Sequence, residues 1–180
     1  MEKECGRTSG LNGCRMSKSN IMIHFIGTAD ELNAHLGLIR AILANEDAWQ
    51  FSWLHACGFI EKVQKNLMKI MSHVSDSKNE FYFLDKREVV EMENEITKLL
   101  ESMPKQQKFS IPGKNIVEAQ IHIARTVARR AERLYAAVYE EQTLCPNAAA
   151  FLNKLSDYLY YLSQQESLVN VNFINQITGI

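Results

Sequence analysis

Proline is rare in this chain, and the distribution of its prolines is the sequence feature that most restricts the fold. The 180 residues contain only Pro104, Pro112 and Pro146, and each lies between long segments in which apolar residues recur with helical spacing. Proline interrupts the interior of a helix because it lacks an N–H donor and clashes with the preceding turn. The pattern therefore predicts an all-α chain.

Five helices are expected from this spacing. The first is predicted to begin at Thr28, which can cap it together with Glu31 in a capping box, and to end near Asn45. The others are predicted over about residues 51–74 and 85–103, from a cap at Asn115 paired with Glu118, and from Pro146. Short connections between these helices favour a five-helix antiparallel bundle.

Composition and charge exclude several classes of protein. The net charge of −1 provides no global basic field of the kind that attracts nucleic acid or an anionic membrane. No apolar stretch approaches the roughly 20 residues that cross a bilayer, and a secretory signal is not evident. The four cysteines form no CxxC pair, so we expect reduced thiols. A cytoplasmic protein that binds neither nucleic acid nor membrane is expected.

The fourth predicted helix carries an unusual concentration of charge. In the segment HIARTVARRAERL, four arginines and a glutamate lie within residues 125–133. At about 100° per residue, one polar stripe contains Glu118, His122, Arg125, Arg129, Glu132 and Arg133, with Arg130 at its edge. The remaining arc is apolar and includes Ile123, so the arginines are expected to face water or an anion. Arginine forks donate paired, charged hydrogen bonds, and a polyphosphate would suit several of them.

The fifth predicted helix offers a matching polar line. Its members are Asn153, Asp157 and Gln164, which fall within about 40° of one another, with Ser156 to one side. Two alternatives remain open for these polar groups. Glu118, Glu132 and Asp157 could simply pair with the arginines on an exposed face, at about 0–1 kcal/mol per pair. Glu118 and His122 could instead belong to a di-metal centre, although the i,i+4 spacing differs from Glu-x-x-His and no second copy occurs.

The N-terminal segment GRTSGLNGCRMSK supplies glycines, hydroxyls and basic residues that suit phosphate binding through backbone N–H groups. It lacks the GK[ST] ending of a Walker motif. Together with GTADELNAHLG, FSIPGKN, IHIARTVARRAERL and FLNKLSDYLYYL, it resembles the PduO-type ATP:cob(I)alamin adenosyltransferases over about residues 6–162. That family forms five-helix bundles that assemble as homotrimers with active sites between subunits.

The resemblance implies a reaction and its ligands. The 5′-deoxyadenosyl group of ATP would be transferred to cob(I)alamin, giving adenosylcobalamin and triphosphate, with Mg²⁺ bound to the phosphates. The cobalt(I) ion is itself the nucleophile, so the protein needs only to align the substrates and stabilise the leaving triphosphate. A flavin-type reductase and an adenosylcobalamin-dependent enzyme are the partners implied.

The resemblance also implies a role for each site residue. ATP and its magnesium are expected to contact Thr8, Ser9, Lys18, Arg129, Arg130, Glu132, Arg133 and Asn153, and Glu132 is the candidate protein ligand for magnesium. Cobalamin is expected to contact Asp30, Phe109 and Arg125. Asp30 and Arg125 match a salt bridge across the subunit interface, and Phe109 matches the aromatic below the corrin ring. Asp30, Phe109, Arg125 and Arg129 are the expected catalytic residues, and Ser156 and Asp157 support them. Without the resemblance, packing of its loop on the core would be the favoured interpretation of Phe109.

The opening of the chain departs from the family pattern. The usual T-x-T-G-D-x-G segment is represented only by Gly6, Gly10 stands where an apolar residue is usual, and PGK replaces PGG. Weaker ATP binding is therefore expected, and a corrinoid-binding carrier or delivery protein is the alternative function. A purely structural bundle is a third hypothesis. We divide the chain into an N-terminal nucleotide-binding loop (1–27), the bundle (28–168) and a C-terminal tail (169–180), which is expected to be a strand or disordered.

Overall fold

A computed structural model of the protein describes residues 6–9, 13, 15–45, 51–103 and 111–178. Two short strands precede five helices. The elements are β1 (Arg7–Ser9), β2 (Arg15–Ser17), α1 (Ile21–Asn45), α2 (Phe51–Ser75), a 3₁₀ turn (Glu80–Tyr82), α3 (Lys86–Glu101), α4 (Ile116–Glu141) and α5 (Pro146–Thr178). The predicted all-α, five-helix bundle is confirmed.

Four of the five pairs of neighbouring helices run in opposite directions. Side-chain contacts show this for α1 with α2, α2 with α3, α1 with α4, and α4 with α5, because later residues of one helix contact earlier residues of the other. Helices α3 and α5 run in the same direction, because two reversals separate them. The order around the bundle is therefore α1, α2, α3, α5 and α4.

Aromatic side chains fill the centre of the bundle. Phe25 of α1 meets Tyr135 of α4 edge to face at 5.3 Å, and Phe59 of α2 meets Tyr158 of α5 in the same way at 5.0 Å. The Tyr135 hydroxyl donates a 2.9 Å hydrogen bond to the carbonyl of Cys145, in the short connection between α4 and α5. This contact fixes the two helices that carry most of the predicted site.

Side-chain caps explain where α3 and α4 begin. Asp85 accepts a hydrogen bond from the Arg87 N–H at 2.8 Å, and Asn115 accepts one from the Glu118 N–H at 2.8 Å. Each cap satisfies a backbone donor that the first helical turn cannot satisfy itself. The predicted Asn115 cap is confirmed, and it sets the rotation at which α4 presents its charged residues.

The start of α1 differs from the prediction. The helix begins at Ile21, where Asn20 accepts a 2.8 Å hydrogen bond from the Met22 N–H, and Thr28 lies inside it. Residues 21–27 therefore belong to the bundle and not to the N-terminal loop. Asn20 is as good a capping residue as Thr28, and starting there allows the fully buried Phe25 to enter the core.

Both ends of the described chain are more regular than predicted. The N-terminal segment contains an antiparallel hairpin in which Thr8 lies opposite Met16, and not only a loop. At the other end, α5 continues to Thr178, where a strand or a disordered tail was expected. No proline or glycine occurs between Pro146 and Gly179, so no residue of that segment breaks the helix.

The described helices include none that combines the length and the apolar character of a membrane span. Two cysteines are described, the half-buried Cys57 and the buried Cys145, and both are free thiols. The expectation of reduced cysteines is confirmed for these two positions.

Candidate functional site

The predicted polar stripe of α4 is divided by burial into two parts. Near the start of the helix, Glu118 and His122 are buried, with 0% and 6% of their surface exposed. Toward the end of the helix, Arg129 and Arg133 are exposed, and Arg125 between the two parts is half-buried. The arginines Arg129, Arg130 and Arg133 are thus accessible to water or an anion, as expected, whereas Glu118 and His122 of the same stripe are not. Their burial follows from the contact of Glu118 with the loop that precedes α4.

Apolar side chains share the exposed face of α4. Ile116 and Ile123 are 76% and 46% exposed, and Ile111 in the preceding loop is 88% exposed. Ile123 was expected in the buried arc, and that expectation is wrong because the other helices of the same chain do not cover this side of α4. The face is consequently apolar near the start of the helix and basic near its end. Such a face suits a ligand or partner with both an apolar and an anionic part.

Most of the carboxylates around the arginines are held by other partners. Glu132 accepts a 2.8 Å hydrogen bond from the Asn153 amide, which brings two of the predicted site residues together. Glu31 of α1 pairs with Arg130, so Arg130 is not a free cation. Arg129 and Arg133 have no ion pair with any residue that the structure describes. The alternative in which the arginines merely pair with Glu118, Glu132 and Asp157 is therefore not what the structure contains.

The polar residues of α5 take different positions. Asn153 and Asp157 are exposed and one turn apart, and the opposite course of α4 puts Asp157 level with Arg129. Ser156 is buried, and its hydroxyl donates to the Asn153 carbonyl at 3.1 Å instead of facing a cleft. Gln164 lies two turns beyond Asp157 and is half-buried. Asn153 and Asp157 thus remain the α5 residues that can reach a ligand on α4.

A buried polar cluster lies at the start of α4. One carboxylate oxygen of Glu118 accepts hydrogen bonds from the N–H groups of Gly113 at 2.7 Å and Lys114 at 3.1 Å. The other lies 3.3 Å from His122 Nε2, although neither of these two atoms has a well-aligned hydrogen bond. Arg125 Nε donates to His122 Nδ1 at 3.3 Å. Burial lowers the pKa of His122, outweighing the opposite effect of Glu118, and the nearby Arg125 lowers it further.

The di-metal alternative for Glu118 and His122 requires further ligands. Among the described residues, no three His, Cys, Asp or Glu side chains are grouped so that they could hold a metal ion. Glu118 is instead engaged with backbone N–H groups and His122. The neighbourhood of this pair is therefore that of a structural cluster in the described part of the chain.

The remaining predicted residues lie on α1 and the hairpin. Asp30 is exposed on α1, and within one chain the described contacts include none between it and Arg125. Thr8 and Ser9 lie on β1 and Lys18 follows β2, where its N–H donates to the Gly6 carbonyl at 2.8 Å. Phe109 lies outside the described residues.

Glu31 contacts a predicted site residue, Arg130, and the sequence interpretation did not include it in the candidate site. It was assigned to a helix cap because it follows Thr28 by three residues. In the structure it lies within α1 and pairs with Arg130 of α4. Its position next to Asp30 on the helix that faces α4 is the signal that could have found it, had the start of α1 been placed correctly.

Comparison with known proteins agrees with this architecture. The sequence model of the family described as cobalamin adenosyltransferase matches residues 2–166. A corrinoid adenosyltransferase from Citrobacter freundii is 31% identical over 165 residues, covering 89% of each chain. A corrinoid adenosyltransferase from Bacillus subtilis is 29% identical over 160 residues, covering 84% of this chain and 77% of the relative.

Solved structures share the fold. A variant of a PduO-type ATP:corrinoid adenosyltransferase from Lactobacillus reuteri, complexed with cobalamin and ATP, superposes with a TM-score of 0.77 at 23% identity, covering 89% of this chain and 87% of that one. Another variant of the same type, complexed with ATP, has a TM-score of 0.79 at 21% identity, covering 93% and 92% of the two chains.

Proposed function

The chain belongs to the cobalamin adenosyltransferase family, and we propose that it transfers the 5′-deoxyadenosyl group of ATP to cob(I)alamin, giving adenosylcobalamin and triphosphate. The observation that carries the proposal is the pair of exposed arginines on α4, Arg129 and Arg133, whose neighbouring carboxylate Glu132 is held by Asn153. Two guanidinium groups that are not neutralised by their own chain are suited to a polyanion that must leave.

The reaction requires alignment more than acid–base chemistry. The electron pair of cobalt(I) forms a bond to the 5′ carbon of ATP while the bond from that carbon to the triphosphate oxygen breaks. Negative charge develops on the departing triphosphate, and Arg129 and Arg133 would stabilise it by charged hydrogen bonds. The hairpin residues Thr8, Ser9 and Lys18 would complete the binding of the phosphates through hydroxyl, backbone and ammonium groups.

Arg130 and Asn153 take supporting parts in this proposal. Arg130 would bind ATP only after loosening its exposed ion pair with Glu31, which costs about 0–1 kcal/mol. Asn153 would hold Glu132 away from the arginines. Asp157, level with Arg129, would orient that guanidinium, and Ser156 would stiffen α5 through its bond to the Asn153 carbonyl.

Glu132 is the residue that would hold magnesium. One of its carboxylate oxygens accepts from Asn153, and the second has no partner among the described residues. Mg²⁺ is typically bound by one or two carboxylates together with substrate phosphates and water, which fits a half-exposed glutamate beside two arginines. The ion would supply additional positive charge to the phosphates.

The apolar part of the α4 face would receive the corrinoid. Ile111, Ile116 and Ile123 offer exposed apolar surface on the preceding loop and the first half of the helix. We propose that Arg125 pairs with Asp30 of a second copy in a homotrimer, because both are accessible on one chain without being joined there. Phe109 would cover the lower face of the corrin ring. We further propose that a flavin-type reductase supplies the electron and that an adenosylcobalamin-dependent enzyme receives the product. The proposed location is the cytoplasm, and the residues before α1 are assigned to nucleotide binding.

The function is tested anaerobically with chemically reduced cob(I)alamin and Mg-ATP. Formation of the cobalt–carbon bond is followed by the loss of cobalt(I) absorbance, and we expect saturable conversion. Replacing Arg129 by Ala should lower kcat/KM for ATP by about 10- to 150-fold, because a lost charged hydrogen bond is worth about 1.5–3 kcal/mol.

The matched control is Arg87→Ala, an exposed arginine on α3 that pairs with Asp85 far from the α4 face in sequence and helix order. We expect this variant to retain normal turnover. Cobalamin binding without any conversion would refute the transferase and favour the carrier function. Equal activity of the Arg129 and Arg87 variants would refute the assignment of the phosphate site.

A further inference from the structure

The loop before α4 is fixed to the helix in an unusual way. In an ordinary capping box, the glutamate of the first turn bonds back to the N–H of the capping residue itself. Here Glu118 reaches past the cap, Asn115, and accepts from the N–H groups of Gly113 and Lys114. The carboxylate is completely buried. A buried charge that binds the backbone before its helix specifies the path of that loop and not only the start of the helix.

Gly113 adds a second constraint on the same loop. Its φ of +116° lies in the region that residues with a Cβ rarely adopt. This conformation turns two consecutive N–H groups toward one carboxylate oxygen. The loop geometry therefore depends jointly on a glycine at 113 and an acceptor at 118.

The second carboxylate oxygen of Glu118 is linked to Arg125 through His122. It lies 3.3 Å from Nε2 of His122, and Nδ1 of that histidine accepts a 3.3 Å hydrogen bond from Arg125 Nε. An acceptor Nδ1 requires the neutral tautomer with the proton on Nε2, and that proton faces Glu118. The burial of His122 lowers its pKa and so favours this neutral form.

Arg125 is consequently held by one edge. With Nε engaged by His122, its two terminal nitrogens form a fork that can bind a carboxylate through two parallel hydrogen bonds. Arg125 is half-buried and lies along α4 between the buried pair Glu118 and His122 and the exposed Arg129.

We infer that Glu118 is a positioning residue, which couples the loop at residues 111–114 to the orientation of the Arg125 guanidinium through His122. The inference rests on the proposed function, because it assigns the purpose of this coupling to corrinoid placement. The contact between Glu118 and His122 lacks good alignment in the ligand-free protein. Such contacts often tighten when the reacting complex forms, and we expect this one to shorten when Arg125 is engaged.

Glu118→Gln separates positioning from simple loop anchoring. A glutamine keeps a carbonyl oxygen that can accept from Gly113 and Lys114, but its amide would present a donor to the Nε2 proton of His122. Two facing donors would drive His122 to the other tautomer, and Nδ1 could no longer accept from Arg125. A residue needed only to anchor the loop would be rescued by Gln.

Two measurements on the full chain test this difference. ¹⁵N NMR of labelled histidine should show the Nε2-protonated tautomer of His122 in the parent protein and its loss in Glu118→Gln. Steady-state kinetics should show about a ten-fold or larger fall in kcat/KM for cob(I)alamin, the size typical of a lost supporting contact, with the KM for ATP unchanged. Circular dichroism verifies folding of each variant.

Two further variants complete the design. Glu88→Gln alters a first-turn glutamate of α3 that accepts from Asn66 at 3.0 Å, and it should leave both readouts unchanged. The double variant His122→Gln/Glu118→Gln should have a kcat/KM for cob(I)alamin no lower than that of either single variant. The reason is that two residues that act through one chain of contacts do not have additive effects.

The outcomes distinguish this inference from the proposed function. If the parent protein has no transferase activity but Glu118→Gln still changes the tautomer of His122, the proposed function is refuted and the coupling is supported. An active parent protein and a Glu118→Gln variant with unchanged tautomer and unchanged kinetics would overturn the coupling alone. A changed tautomer with unchanged corrinoid kinetics would overturn the positioning role.

Discussion

His73 offers a prediction about stability that is independent of the active site. This residue lies in the last turn of α2, only 1% of its surface is exposed, and neither ring nitrogen has a hydrogen-bond partner among the described residues. Its ring meets Phe83 edge to face at 4.6 Å. Replacing His73 by Leu introduces an apolar side chain of similar size and removes both unpaired nitrogens.

The expected gain follows from these contacts. A buried polar group without a partner costs about 1–3 kcal/mol, which the substitution removes. The variant also loses the ring contact with Phe83, which offsets about 0.5–1.5 kcal/mol of this gain. Taking the middle of each range, we expect His73→Leu to raise the free energy of unfolding by about 1 kcal/mol at pH 7.5.

The gain should increase in acid. Burial lowers the pKa of His73 below its ordinary value of 6.5, although Asp76 acts in the opposite direction. Below pH 6.5 the unfolded chain binds a proton that the folded chain resists, so the parent protein loses stability as the pH falls toward the folded pKa. The loss is at most about 1.4 kcal/mol at one pH unit below the unfolded value.

Urea unfolding at pH 7.5 and 5.5, followed by circular dichroism at one protein concentration, measures both effects. The control is His24→Leu, the same change at an exposed position of α1, which should alter stability by less than about 0.5 kcal/mol at either pH. A destabilised His73→Leu variant, or one whose advantage over the parent is the same at both pH values, would refute the reasoning.

Three further predictions concern single contacts. Burial acts to raise the pKa of Glu95, but hydrogen bonds from Lys98 and His55 outweigh this effect and lower the pKa. The ionised Glu95 therefore stabilises the folded protein above pH 4.5, and this stabilisation is lost as the pH falls through the folded pKa. Glu95→Gln should flatten this acid dependence in urea titrations, and an unchanged slope would contradict it. Tyr135→Phe should cost about 1 kcal/mol through the lost bond to Cys145, and a loss below 0.3 kcal/mol by thermal unfolding would count against that bond. Arg129→Lys should have a kcat/KM for ATP between those of the parent and Arg129→Ala, because it keeps the charge without the fork; parental activity would exclude bidentate binding.

The fold could be predicted from the sequence because its determinants are local. The predicted cap at Asn115 is confirmed, and the predicted beginning of α3 at Asp85 became the cap of that helix. The beginning of α1 could not be predicted in the same way, since Asn20 and Thr28 are comparable as caps. The choice between them depends on the burial of Phe25 against Tyr135, which is a contact between distant parts of the chain.

The candidate site was predicted less completely than the fold. Helical spacing grouped Arg129 and Arg133 on one side of α4, where both are exposed, but it did not identify the contact between Asn153 and Glu132. It could not show that Glu118 and His122 are buried, because their burial depends on the path of the loop at residues 111–114. A helical projection treats each residue as equally close to solvent along the helix, whereas here a loop covers one end of the stripe.

The placement of the carboxylates explains how a chain with a net charge of −1 keeps a basic face. Glu132 is held by Asn153, Glu118 by two backbone N–H groups, and Glu31 by Arg130 at the edge of the face. These three acidic residues thus have partners other than Arg129 or Arg133, and Asp157 is the exposed carboxylate that remains level with Arg129. Removing Asn153 would release Glu132 beside the arginines and weaken their attraction for an anion. Under the proposed function, Asn153 would therefore matter for anion binding in two ways, as a direct donor to the ligand and as the residue that keeps Glu132 away from Arg129.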